Sequence, residues 1–246
     1  MAPCIGFVCC VIVTVFSVKL DLVCLLPALL LLWFPRQWLR IGAIGRRVRG
    51  SRSREWAPTR ERQPGDLSVW LGEELGKARN WVDLLRALAG GAAVGGMLFA
   101  GVEAFVPAAV PPEPLTLKLI LGLKVFVLLV GLTVQMFRFE KKLSMFAPIF
   151  YLQGLSFGLI GLKAALAAIL LAWVFNVLLP SAGVMLAVFG CFEVIAALVF
   201  GQPPHKVLIA GGLTLLPVFL SIALKRRLAQ FTKKTKIIAG PSSSAS

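Results

Sequence analysis

Between Lys142 and Glu193 the chain carries one charged side chain, Lys163, and between Arg86 and Glu103 it carries none. Uncharged apolar sequence of that length matches the roughly 20 residues needed to cross a bilayer core of about 30 Å. Composition agrees. Of 246 residues, 58% are hydrophobic and 15% charged, with a mean hydropathy of +0.87, against roughly 45–50% and about 25% in soluble domains. In lipid every backbone N–H and C=O must be satisfied within the protein, and the alternation of barrel strands is absent, so these runs are expected to be helices. The expected fold is all-α: a polytopic transmembrane helical bundle of about six spans after an N-terminal apolar anchor, plus one amphipathic surface helix.

Charge divides the chain into four parts. Residues 1–34 form an apolar anchor or hairpin: 4–34 is interrupted only by Lys19 and Asp21, and Pro27 can kink it. The stretch is too long for the apolar core of a cleaved signal and lacks a basic leader. A single tilted helix or a hairpin turning near 19–21 both fit. Residues 35–80 hold eleven Lys and Arg and mark the cytoplasmic side, because basic loops are retained there. Trp33, Trp38, Trp70 and Trp81 flank this region as interfacial indoles do. Within it, Leu67, Trp70, Leu71 and Leu75 repeat at helical spacing, which predicts an amphipathic surface helix over 67–80, capped by Asp66 or Ser68.

Residues 81–224 form the transmembrane domain, and 225–246 a basic cytoplasmic tail. The expected spans are 81–106 and 115–137, with a proline-rich outer loop between them. The next apolar stretch, 145–179, is too long for one span and short for two. Charge parity favours two short helices turning at 161–163, because the basic tail then returns to the same side as the other basic loops. A re-entrant half-helix over 148–161 followed by one full span is the rival arrangement. Spans at 183–200 and 206–224 complete the set.

Several chemistries are unsupported. His205 is the sole histidine, so haem ligation, clustered zinc ligands and a Ser-His-Asp triad find no pattern here. No phosphate loop, metalloprotease pair or dinucleotide fingerprint occurs. The expectation is therefore a non-enzyme with no catalytic residue, cofactor or metal. Cys4, Cys9, Cys10, Cys24 and Cys191 lie in apolar sequence without metal spacing and read as small hydrophobes, with acylation of the first three as the alternative.

The chemistry-bearing residues are those charged within apolar helices. Glu193 stands among ten Val, Leu, Ile and Phe residues over 183–200. Each contributes roughly −0.3 to −0.6 kcal/mol to insertion, against roughly +2.5 to +3.5 for a central charge. Such a group faces the bundle and seeks a partner. Depth counting pairs it with Lys124, and pairs Glu103 with Lys118. Asp83 and Arg86, three residues apart, are expected to pair at the inner boundary. Gly91 with Gly95, and Gly154 with Gly158, have the spacing that lets helices approach closely. Gln135, Gln153 and Asn176 are intramembrane hydrogen-bonders, expected as glue between helices.

The net charge of +15 is expected to attract anionic lipid head groups at the basic face. Nucleic acid is not expected as a partner. These features lead to an integral membrane protein without catalytic motifs, an accessory, scaffold or assembly subunit contacting lipids and a membrane protein partner or a second copy. The alternative is a small-solute or ion transporter or channel using Lys124 and Glu193. The expected location is a membrane, multi-pass, of the bacterial cytoplasmic (inner) type.

Overall fold

The computed structural model describes residues 12–15, 18–35, 69, 71–96, 103–108, 113–139 and 143–225. The expectations for Cys4, Cys9 and Cys10, for most of the basic loop, for caps at Asp66 or Ser68 and for nearly all of the tail lie outside these residues. The molecule is an all-α helical membrane bundle with short strands at helix ends. Its helices are α1 Leu22–Trp33, α2 Leu71–Leu75, α3 Ala78–Gly95, α4 Pro114–Met136, α5 Ile149–Phe175, α6 Ala182–Val199 and α7 Pro204–Ala223. Four of these, α4 to α7, are long and apolar enough to cross a membrane. The 12-residue α1, and α3, which equals α6 in length but carries Arg79, Asp83 and Arg86, pack beside them.

The apolar N-terminal stretch is not one helix or a helical hairpin. Strands β1 Ile12–Val15 and β2 Val18–Asp21 pair antiparallel, and β3 Phe105–Pro107 adds to the other edge of β2. β-Branched residues dominate this segment, and they favour extended backbone. Asp21 then starts α1: its side chain accepts from Val23 N at 3.0 Å, while its own N–H donates to Ala104 O at 3.1 Å. A second hairpin, β4 Phe137–Phe139 with β5 Leu143–Met145, links α4 to α5.

The helix expected over 81–106 begins at Ala78 and stops at Gly95. Gly96 adopts φ 71°, and its N–H returns to Ala92 O at 2.8 Å, the left-handed stop that glycine permits. The surface helix expected over 67–80 is described only as α2. It ends because the side chains that follow take its last carbonyls: Asn80 Nδ2 donates to Glu74 O at 2.9 Å and Trp81 Nε1 to Leu75 O at 2.8 Å. The span expected over 115–137 is shifted by one residue, with Pro114 in the first turn of α4.

The hard stretch resolves at Gly161, whose φ 78° and ψ 168° interrupt α5. The ring of Phe150 lies 5.7 Å from that of Trp173, whereas 23 residues of straight helix would separate them by about 34 Å. The helix therefore doubles back, with arms at 149–160 and 162–175. Its turn falls at the start of 161–163, where two short helices were expected to turn, and the buried first arm also coincides with the half-helix of the rival arrangement. Every residue of the first arm is buried. The second arm buries Ala164, Ala165, Ala168 and Ala172 and exposes Leu162, Leu166, Leu170 and Val174. Its far end is tied down where Asn176 Nδ2 donates to Val69 O at 2.5 Å.

The backbone at Gly161 is in a region that only glycine enters without strain. Gly161→Ala is expected to cost about 1–3 kcal/mol and to lower the thermal midpoint in mild detergent. Gly122→Ala, where an added Cβ meets open space, serves as the control with little change.

Candidate functional site

The site is built on the contact between α3 and α5, the most extensive interface between helices. Gly154 sits beside Leu84 and Ala87, and Gly158 beside Gly91 and Ala92, so α3 and the first arm run in the same direction. A Cβ on Gly95 would overlap the Gly158 carbonyl, and one on Gly158 the Gly91 carbonyl. Of the four glycines singled out by spacing, Gly91 and Gly95 thus meet Gly158 inside the molecule, backbone against backbone, while Gly154 lies against Leu84 and Ala87.

This approach fixes Ser156, on the first arm, against α6. Its hydroxyl reaches Leu152 O at 2.9 Å and is hydrogen-bonded to Glu193 Oε1. Thr214 of α7 faces the same carboxyl group. Glu193 is 1% exposed, and its Oε2 makes no hydrogen bond among the described residues. No Lys or Arg among them lies within ion-pair distance of it. Gln153, one turn before Ser156, is equally buried, with Nε2 unbonded. Glycines also admit α7 against α6: Gly190 abuts Leu215, and Gly211 abuts Val194.

The expected partnership of Lys124 with Glu193 is not formed. Lys124 Nζ instead lies 3.8 Å from Glu103 Oε2. Because α3 ends at Gly95, residue 103 folds back beside Gly96 and intercepts the lysine. Depth counting had placed Glu103 three residues from an outer loop, opposite Lys118. Lys118 is exposed and makes no ion pair among the described residues.

A second polar centre lies where α1 and α4 finish. Asp83 and Arg86 pair as expected, Nη2 to Oδ1 at 2.7 Å, with both side chains almost wholly buried. Arg86 does more than pair. Its Nη1 donates to Phe34 O, its Nη2 donates to Gln135 Oε1 at 2.5 Å, and its guanidinium lies 5.6 Å from the Tyr151 ring centroid. Gln135 Nε2 donates to Phe34 O at 2.9 Å, and Tyr151 Oη to Leu32 O at 3.1 Å. These groups satisfy carbonyls at the end of α1 that have no intrahelical donor, and the cation complements the negative end of its dipole.

Spacing alone did not single out Tyr151, Ser156 or Thr214. One usable signal existed for Ser156: Gln153 and Ser156, three apart in apolar sequence, share a helix face. His205 is exposed at the start of α7, and no group of metal-ligating residues occurs among the described residues. Cys24 is half-buried and Cys191 exposed.

No known protein family, no curated protein and no solved structure matches this chain.

Arg86→Leu removes the cation of a buried pair and takes the donors from Phe34 O and Gln135 Oε1. It is expected to destabilise the protein by about 3–5 kcal/mol, read as a lower thermal midpoint in detergent. Arg86→Lys should recover only part of that loss, since a lysine cannot serve Phe34 O and Gln135 in one planar fork.

Proposed function

We propose that this membrane protein is a small-solute or ion transporter or channel, with the doubled-back α5 and the buried face of Glu193 as its translocation element. The observation that carries this reading is a broken, fully buried helical arm placing polar side chains against an intramembrane carboxyl group. Discontinuous helices at that depth are tolerated where they are buried in protein or line a cavity, and they recur at transporter binding sites. An ionisable residue inside the bundle points the same way.

The alternative, an accessory, scaffold or assembly subunit, drew on the small-residue seams. Those seams are spent inside the molecule, Gly91 and Gly95 against Leu155 and Gly158, and Gly154 against Leu84 and Ala87, which leaves them unavailable to a partner. In either role the chain is proposed to be a non-enzyme of a bacterial cytoplasmic membrane. Lipid tails contact its exposed leucines and phenylalanines, and anionic head groups meet its basic segments. Lys124, tied to Glu103, is not proposed as part of the path through Glu193.

Reconstituted into sealed vesicles, the purified protein should raise the flux of a small ion over protein-free vesicles, and Glu193→Gln should reduce that flux at least tenfold at equal incorporation. Equal flux from both proteins would contradict the assignment. Purification only as a fixed-stoichiometry component of a larger complex, with no flux, would favour the subunit reading.

A further inference from the structure

Hydrogen-bond arithmetic around Ser156 goes further than the proposed function, on which the following rests. A serine hydroxyl has one hydrogen. Ser156 Oγ nevertheless stands at hydrogen-bond distance from two oxygens, Leu152 O and Glu193 Oε1. If Glu193 were ionised it would be an acceptor only, and the two oxygens would compete for that hydrogen. If Glu193 carries a proton, both contacts are satisfied in series: the carboxyl O–H donates to Ser156 Oγ, and the Ser156 hydroxyl donates to Leu152 O.

The surroundings support the second arrangement. Around the carboxyl, α5 contributes Ser156 and α7 contributes Thr214, both neutral. No cation of the described residues forms an ion pair with it. We infer that Glu193 is an exchangeable proton-binding site, a carboxyl group buried without a cation beside it and in hydrogen-bond contact with Ser156, and that a proton is the ion this protein carries or couples to.

The exchange takes place with water, which accepts the proton as hydronium on release and returns it on uptake. When the proton leaves Oε1, the Ser156 hydroxyl turns from Leu152 O and donates to the carboxylate, and Thr214 is placed to donate as well. Leu152 O remains a backbone acceptor in the helix, so the turn strands no carbonyl. On reprotonation the hydroxyl returns. Ser156 is therefore a positioning residue whose single hydrogen reports the state of Glu193.

Infrared difference spectroscopy of the full chain in lipid tests this without relying on transport. At neutral pH the wild type minus Glu193→Gln spectrum should contain the carbonyl stretch of a protonated carboxyl, absent from the variant. In Ser156→Ala that band should persist and move to higher frequency, because its hydrogen-bond acceptor is gone. A difference spectrum containing only carboxylate stretches at neutral pH would overturn the inference. So would a band indifferent to Ser156→Ala. The two ideas fail separately. A protonated band with no flux retains the acid and removes the transport reading, whereas flux with carboxylate bands alone does the reverse.

Discussion

The close approach of α3 and the first arm of α5 is the constraint on which the rest of the structure depends. Side chains at Gly95, Gly154 or Gly158 would collide with backbone of the facing helix, so the two helices can lie this near only where those positions lack a Cβ. Without a hydrophobic driving force between helices in lipid, such backbone contact is a main source of association. It has a geometric consequence as well. An arm held that tightly against α3 is surrounded on all sides, and its polar residues, Gln153 and Ser156, must find partners within the bundle rather than at its surface. Glu193 reaches Ser156 because the seam sets the arm at that depth.

The second requirement is backbone satisfaction where helices stop. Helix α1 ends amid apolar packing, with its last carbonyls out of reach of intrahelical donors. Arg86, Gln135 and Tyr151, from three different helices, supply the hydrogens. The same logic operates at α2, whose final carbonyls go to Asn80 and Trp81. At the opposite end the Asp21 side chain caps α1, and β3 lies along β2 beside that start. Charged and amide groups buried here are thus accounted for by the termini they complete, which separates them from Glu193, whose second oxygen completes nothing among the described residues.

Much of this was legible in the residues. Apolar run length gave α4 to within a residue, and the awkward length of 145–179 called for a turn at 161–163, where Gly161 interrupts α5. Local spacing gave the Asp83–Arg86 pair, because three residues on a helix fix geometry regardless of tertiary fold. What failed was everything that required knowing where one element stands relative to another. Glu103 reaches Lys124 only because α3 stops at Gly95, a stop set by a left-handed glycine that a hydropathy run does not reveal. The strands at 12–21 and 105–107 were hidden for a similar reason: a β-branched apolar segment reads as membrane helix until a partner strand is known. Tyr151 and Thr214 offered no spacing signal at all, since their roles depend on facing helices.

The doubling back of α5 brings its second arm over the first, completing the enclosure of the arm that the glycine seam holds against α3. Spin labels at Ala147→Cys and Val177→Cys, on a background lacking the five native cysteines, measure it directly in lipid. A continuous helix would place them about 45 Å apart. The structure requires less than half that separation, and a single distribution near the longer distance would contradict it.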